Sequence, residues 1–188
     1  MTRLGALVGV SMLAAISILT TTSTGAPRRS VAAAESSSAA PAPFVGTWRR
    51  VTTCTELVAA LRTAGMQKWV REFVAGNSFV PGVTSAKEIS SDNPCRGAVP
   101  RAHSHFFTKG REFGSLDWKG QRVDDGRYRV IDGRTFVMFK EFPKVTFHYS
   151  IRGPNITFAP VVPRGCQSFR CAWAISMAYP GKAWKRIR

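Results

Sequence analysis

Acidic residues are scarce in this chain. It has 11 Asp and Glu against 27 Lys and Arg, which gives a formal net charge of +16 over 188 residues. Such a charge attracts anionic partners. The basic residues are scattered, and their densest groups are Arg49-Arg50 and Lys185-Arg186. Two interpretations remain open: a solvated basic surface, which we favour, and binding to an anionic envelope polymer or lipid surface.

The short motifs of common catalytic sites are also missing. The sequence contains no Gly-x-Ser-x-Gly, no His-Glu-x-x-His and no glycine-rich phosphate loop. Histidine occurs only at His103, His105 and His148. Three histidines from neighbouring strands can hold zinc with an open fourth position. A metal-dependent enzyme is therefore one alternative, but we favour solvent-facing histidines, no cofactor and a non-enzymatic function.

Only one long uncharged apolar run occurs, from Leu4 to Leu19, and Arg3 precedes it. Small and hydroxylated residues follow, which is typical of a secretory signal peptide. The run is shorter than the roughly 20 residues that a membrane span prefers, although an uncleaved anchor stays open. We predict a signal peptide over residues 1–26, a flexible Ala/Ser/Pro-rich tether over 27–43 and one folded domain over 44–188. The protein is then secreted or associated with the cell envelope.

Cysteine is limited to four residues, and none precedes Cys54. This excludes a lipid-modified cysteine just after the leader. An even number in an exported chain predicts two disulfides, and no Cys-x-x-Cys spacing points to a zinc or redox site. Three pairings are open. We favour Cys54–Cys95 and Cys166–Cys171 because each closes a nearby loop, at roughly 4 and roughly 2 kcal/mol on the chain-entropy model.

Short segments with turn residues between them fill the folded part. Residues 44–51 alternate in polarity and predict a first strand. Thr53 and Glu56 match a capping box for a helix that ends at Gly65, and a second helix is predicted over 66–75. Residues 77–102 predict a loop, which Cys95 pins to the rest of the domain. The strands predicted after this loop are 103–109, 112–118, 127–131, 134–140, 145–151, 156–161, 172–179 and 183–187.

Turn chemistry and spacing predict the order of these strands. Lys109-Gly110, Asp124-Asp125-Gly126, Asp132-Gly133 and Gly153-Pro154 are predicted turns. Strands that follow one another at short intervals favour an antiparallel meander, and hence a barrel or a sandwich.

The beginning of the domain resembles the calycin group. Phe44-Val45-Gly46-Thr47-Trp48, followed by a helical pair with a break at Ala64-Gly65-Met66, is similar to lipocalins and, more closely, to intracellular fatty-acid-binding proteins. The resemblance implies a mainly β fold: a single antiparallel up-and-down β-barrel with a helix-turn-helix after the first strand. It also implies a ligand inside the barrel. That family's late Arg-x-Tyr anchor has no counterpart at Tyr179, so we carry over no anchoring residue.

Aromatic residues are abundant after position 100. Interleaved with arginine they could stack on single-stranded bases, but a barrel of this size needs them for its core or cavity, so we do not expect nucleic acid. The residues predicted to line a ligand cavity are Phe136, Met138, Phe147, Tyr149, Phe158, Trp173 and Met177. Arg127, Arg129 and Arg152 are candidates to meet an acidic headgroup.

The function predicted from these observations is a secreted protein that holds a small hydrophobic or amphipathic ligand in a β-barrel. The first alternative is a basic, envelope-associated interaction protein without an internal ligand. The second is the metal-dependent enzyme that would use His103, His105 and His148.

Overall fold

The computed structural model describes residues 42–139 and 144–188. The predicted signal peptide and nearly all of the predicted tether lie outside these ranges. The strands are β1 (Gly46–Thr52), β2 (Arg101–Phe107), β3 (Glu112–Leu116), β4 (Arg122–Asp132), β5 (Thr135–Phe139), β6 (Val145–Arg152), β7 (Asn155–Pro160) and β8 (Ala183–Arg186). The helices are α1 (Cys54–Thr63), α2 (Val70–Gly76) and α3 (Phe169–Ala178), with 3₁₀ turns at Gln67–Trp69 and Ala86–Glu88. Within the described residues, no helix is both long and apolar enough to cross a membrane.

The strands form a closed antiparallel barrel in chain order, and β8 pairs with β1 to close it. This confirms the predicted up-and-down barrel with a helix-turn-helix after its first strand. Because successive strands run in opposite directions, alternate connections lie at the same end. The turn end comprises the hairpins 108–111, 132–134 and 152–155, the start of β1 and the end of β8. The helical end comprises the β3–β4 hairpin and the three helices.

Local sequence signals explain the first helix. Thr53 is its N-cap: the hydroxyl accepts from the Glu56 amide, and the Glu56 carboxylate accepts from the Thr53 amide. This reciprocal pair satisfies two amides that a helix start otherwise leaves without partners. Gly65 follows the helix with φ 74°, a left-handed conformation that glycine adopts at little cost. The capping-box prediction is confirmed.

The predicted strand over 172–179 is wrong, since these residues belong to α3. Large and small residues alternate there, which favours a strand by pattern alone. However, the small residues are mostly alanine, the strongest helix former, and every residue from Cys171 to Ala178 is buried. A helix buried on all sides shows no amphipathic period to detect. Ser168 caps its start, and Tyr179 ends it in the left-handed conformation at φ 44°.

The predicted hairpin at Asp124-Asp125-Gly126 is also wrong. These residues lie inside β4, and the chain reverses earlier, between β3 and β4. There the Asp117 side chain accepts hydrogen bonds from the backbone amides of Lys119 and Gln121, and Gly120 has φ 80°. Asp at the first position of a turn organises the backbone in this way. Asp124 therefore lies on the barrel wall, within β4.

Both disulfides have the favoured pairing, Cys54–Cys95 and Cys166–Cys171. The first ties the start of α1 to the loop that precedes β2. The second joins the approach to α3 with its first turn. Two disulfides are consistent with an extracellular protein.

The middle of the barrel is filled with side chains. Phe136, Met138, Phe147 and Phe158 point inward there, and the space left among them and their neighbours is about 10 Å³. That is about the volume needed to hold a single water molecule. At the turn end, Phe44 enters the barrel from the N-terminal segment and is fully buried among other aromatic rings. The barrel is thus solid from its turn end to its centre.

Candidate functional site

A cleft of about 280 Å³ opens at the helical end of the barrel. Strands β2, β3 and β4 form its floor, and α2 and α3 form its walls. The residues that line it are Glu72, Phe73, Gly76, Asn77, Ser78, His103, His105, Ser115, Leu116, Asp117, Val123, Asp124, Phe169, Trp173, Ser176, Met177, Tyr179 and Trp184. It therefore combines an aromatic wall with a polar floor, as ligand sites commonly do.

The charged residues that line this cleft are acidic, whereas the net charge of the whole chain is positive. Glu72, Asp117 and Asp124 line it, whereas no lysine or arginine from the described ranges does so. Arg101, on the floor strand β2, contacts the rim of the cleft. Its guanidinium lies over the Trp118 ring at 4.1 Å and donates to the Ser78 carbonyl at 2.8 Å. Arg101 is thereby occupied at the rim of the cleft.

Asp124 is a partly buried carboxylate on strand β4 of the barrel wall. Burial raises its pKa, and hydrogen bonds from Ser115 and Trp173 partly oppose that effect. Ser115 is the directly opposite residue on β3, and Trp173 comes from α3. A carboxylate that is half removed from water and has few donors gains strongly from a further donor or a cation.

His105 is buried on the floor and competes for the same serine. Its Nδ1 lies 3.0 Å from the Ser115 Oγ, and its Nε2 lies 3.0 Å from the Met177 carbonyl oxygen. A carbonyl only accepts, so Nε2 carries the proton and Nδ1 accepts from the Ser115 hydroxyl. That hydroxyl has one hydrogen, which can serve His105 or Asp124 but not both. When the Ser115 hydroxyl donates to His105, the Asp124 carboxylate keeps an acceptor position without a donor from Ser115.

Both floor histidines are neutral at ordinary pH. Burial lowers the pKa of His105 to about 3 and the pKa of His103 to about 4. For His103, the Asp117 carboxylate raises the pKa and Arg101 lowers it, but burial outweighs both. The His103 Nε2 is buried without a hydrogen-bond partner. The cleft is therefore lined by three carboxylates and by one imidazole nitrogen without a partner, that of His103, whereas both nitrogens of His105 are already hydrogen-bonded.

The low pKa of His105 predicts that stability falls in weak acid. The unfolded chain binds a proton near the ordinary histidine pKa of 6.5, whereas the folded chain resists it down to about 3. Stability from this group is therefore complete above 6.5 and is lost as the pH falls toward 3. Between pH 6.5 and 5 the loss is about 1.5 kcal/mol from His105, with a similar contribution from His103.

Urea unfolding at the two pH values measures this loss. The variant H105Q should show about half the loss of the natural protein. His148 is exposed, so H148Q should behave like the natural protein. Equal losses in all three proteins would contradict the assignment of the pH dependence to the buried imidazoles.

The structure divides the predicted ligand-lining residues. Trp173 and Met177 line the cleft. Phe136, Met138, Phe147 and Phe158 fill the barrel centre instead, and Tyr149 packs against Phe44 at the turn end. The centre of the barrel is thus filled, and the open space that two of the predicted residues line is at the helical end. Arg127, Arg129 and Arg152 are exposed on the turn-end half of the barrel and do not reach the cleft.

The three histidines are also separated. His103 and His105 line the cleft, so the expectation that they face solvent is wrong for these two. His148 lies on the outer face, where its Nδ1 is 3.0 Å from the Thr135 hydroxyl. Across residues 42–139 and 144–188, no group of three or more His, Cys, Asp or Glu is placed to hold a metal ion.

Sequence reasoning missed Asp124 and Ser115 as site residues. Asp124 was assigned to a turn because Asp-Asp-Gly is typical of one. A partial signal was present, since residues 127–130 alternate in polarity directly after Gly126, and a strand there could extend back to residue 122. A strand through that segment would have placed Asp124, Gly126 and Tyr128 on one face.

Comparison with known proteins adds no relative. The chain matches no protein-family model, and neither the curated proteins nor the solved structures contain a match to it. The site must therefore be interpreted from its own geometry.

Proposed function

We propose that this protein is a secreted binding protein for a small amphipathic organic cation, such as an amine with an aromatic or aliphatic body. The cleft at the helical end is the binding site. One observation supports the sign of the ligand: a chain with a net charge of +16 lines this cleft with carboxylates and no cation in its described part. The signal peptide that we predict from the sequence and the two disulfides support secretion.

Asp124 is the proposed partner of the ligand's ammonium group. Its open acceptor position faces a cleft from which water is partly excluded, where a charge-assisted hydrogen bond is stronger than in bulk water. The exposed arginines elsewhere oppose a cation only weakly, because their field is screened over about 8 Å at physiological salt. A ligand carboxylate would instead meet Asp117 and Asp124.

The aromatic wall would hold the apolar body of the ligand. Phe73 and Phe169 stack with ring centroids 5.3 Å apart, and Trp69 meets Phe169 edge-on at the same distance. Phe169 is 47% exposed, so its ring is available to an occupant. Aromatic faces also attract cations. The volume of about 280 Å³ lies near the lower limit for ligand pockets and limits the ligand to a small molecule.

Calorimetry with matched ligands tests the proposal. Phenethylamine, 2-phenylethanol and phenylacetic acid share one ring and differ in the sign of the polar group. We expect the amine to bind at least tenfold more tightly than the alcohol, and the acid to bind least. Preference for the acid or for a fatty acid, or equal affinity for all three, would refute a cation site.

A further inference from the structure

The turn end of the barrel has a surface chemistry unlike that of the cleft. Seven exposed arginines lie on its hairpins, on the adjoining half of β4 and at the end of the chain: Arg111, Arg127, Arg129, Arg134, Arg152, Arg186 and Arg188. The carboxylates on the same elements are Glu112 and Asp132. In the described part of the chain, none of the seven arginines forms an ion pair. Arg186 lies over the Trp48 ring at 4.5 Å and donates to the Pro43 carbonyl, so it is partly engaged. No carboxylate of the described ranges neutralises the charge of the group.

Apolar side chains stand exposed among these arginines. Ile131 is 54% exposed at the tip of the β4–β5 hairpin, beside Val130 at 38%. Ile187 is 48% exposed between Arg186 and Arg188. Arginines that surround protruding aliphatic groups match an anionic lipid surface, where the charges meet headgroups and the aliphatic groups reach the acyl boundary. A soluble polyanion would gain nothing from the aliphatic groups.

Two arginines also flank an open cleft. Arg134 and Arg152 line a space of about 680 Å³ between neighbouring hairpins, together with Pro43. The Pro43 carbonyl accepts a hydrogen bond from Arg186 at 2.8 Å, which brings a third guanidinium to the same region. Guanidinium groups bind phosphate oxygens through two parallel hydrogen bonds. This cleft can receive the phosphate of a lipid headgroup.

Exposed arginines, exposed aliphatic side chains and a cleft between two arginines thus lie at the same end of the barrel. We propose that the turn end docks on the surface of an anionic phospholipid bilayer, which leaves the cleft at the helical end open to solvent.

Co-sedimentation of the full chain with vesicles tests the docking. The vesicles contain phosphatidylcholine with one quarter phosphatidylglycerol, or phosphatidylcholine alone. The variant R134Q/R152Q removes two charges from the turn end, and R62Q/R71Q removes two exposed charges from α1 and α2 as a matched control. We expect the first pair to weaken binding to anionic vesicles at least tenfold and the control pair less than threefold. Binding to vesicles of phosphatidylcholine alone measures what the apolar run from Leu4 to Leu19 contributes, and the variants are compared after this background is subtracted.

A second comparison separates lipid from polymer. I131S should weaken vesicle binding severalfold, whereas V51S, which changes an exposed valine at the helical end of β1, should not. Circular dichroism confirms that each variant is folded. Equal effects of the two arginine pairs, or no preference for anionic vesicles, would overturn the proposal. A polymer partner would be indicated if R134Q/R152Q weakened binding to soluble polyphosphate as much as binding to vesicles and I131S had no effect. That result would also overturn the proposal. None of these outcomes depends on the ligand of the cleft.

Discussion

Replacing Asp124 with asparagine is expected to weaken binding of a small amine at least thirtyfold. The change keeps the shape of the side chain and removes its charge, so the ligand's ammonium group loses its partner in a partly desolvated cleft. Truncating one partner of such a pair costs about 2 kcal/mol or more. Calorimetry with phenethylamine gives the affinity, and the neutral alcohol should lose far less.

Asp125 provides a matched control. It is the next residue of β4 and has the same chemistry, but it forms an ion pair with Arg122 at 3.1 Å and does not line the cleft. D125N should therefore bind the amine within about twofold of the natural protein. Because burial raises the pKa of Asp124, amine binding should also weaken with acid at a pH where an exposed aspartate is still ionised. Equal losses of amine affinity in D124N and D125N would show that the carboxylates act through their long-range electrostatic field rather than through contact with the ligand.

Replacing Phe44 with alanine is expected to lower the free energy of unfolding by about 3–5 kcal/mol. The ring is fully buried at the turn end, with centroids 4.8 Å from Tyr149, 4.9 Å from Phe136 and 5.0 Å from Phe107. These partners come from three different strands, so no single segment can collapse into the cavity. A domain of this size should then melt about 10 °C lower or more.

Urea unfolding and thermal melting measure this loss. F139A is the control, because Phe139 is 37% exposed and its removal leaves little cavity. The indole of Trp48 donates to the backbone carbonyl of Phe44 at 2.8 Å, and that bond survives in F44A. The loss therefore reports the ring alone. A loss of under 1 kcal/mol in F44A would show that the Phe44 ring does not close the turn end of the barrel.

Contiguous signals predicted most of the fold. The capping box at Thr53 and Glu56, the turn at Asp132-Gly133 and the alternation in β6 each depend on residues a few positions apart. The disulfide pairs follow similarly from the shorter loops that they close. Such features can be predicted from the sequence because the interactions that produce them join residues that are close together in the chain.

The errors arise where tertiary contacts outweigh pattern. Residues 172–179 alternate like a strand, yet burial on every side and three alanines make them a helix. Asp124-Asp125-Gly126 has the composition of a turn, yet pairing with β3 holds it extended, with Asp124 opposite Ser115. In both segments the local signal is genuine, and the surroundings decide between two conformations of similar free energy.

Short-range periodicity and turn chemistry in the sequence predicted an antiparallel meander with a helical pair after its first strand, and the shorter loops favoured the disulfide pairing. The resemblance to calycins, rather than periodicity, implied a closed barrel. Only the tertiary structure decided that the barrel centre is solid and that a cleft lined by carboxylates lies at its helical end. Whether the barrel centre is filled depends on the summed volumes of side chains from eight strands. No pattern within a single segment of the sequence predicts that sum. The cleft likewise depends on Asp124, Ser115 and Trp173, which are far apart in the chain or on different elements and meet only when β3, β4 and α3 pack together.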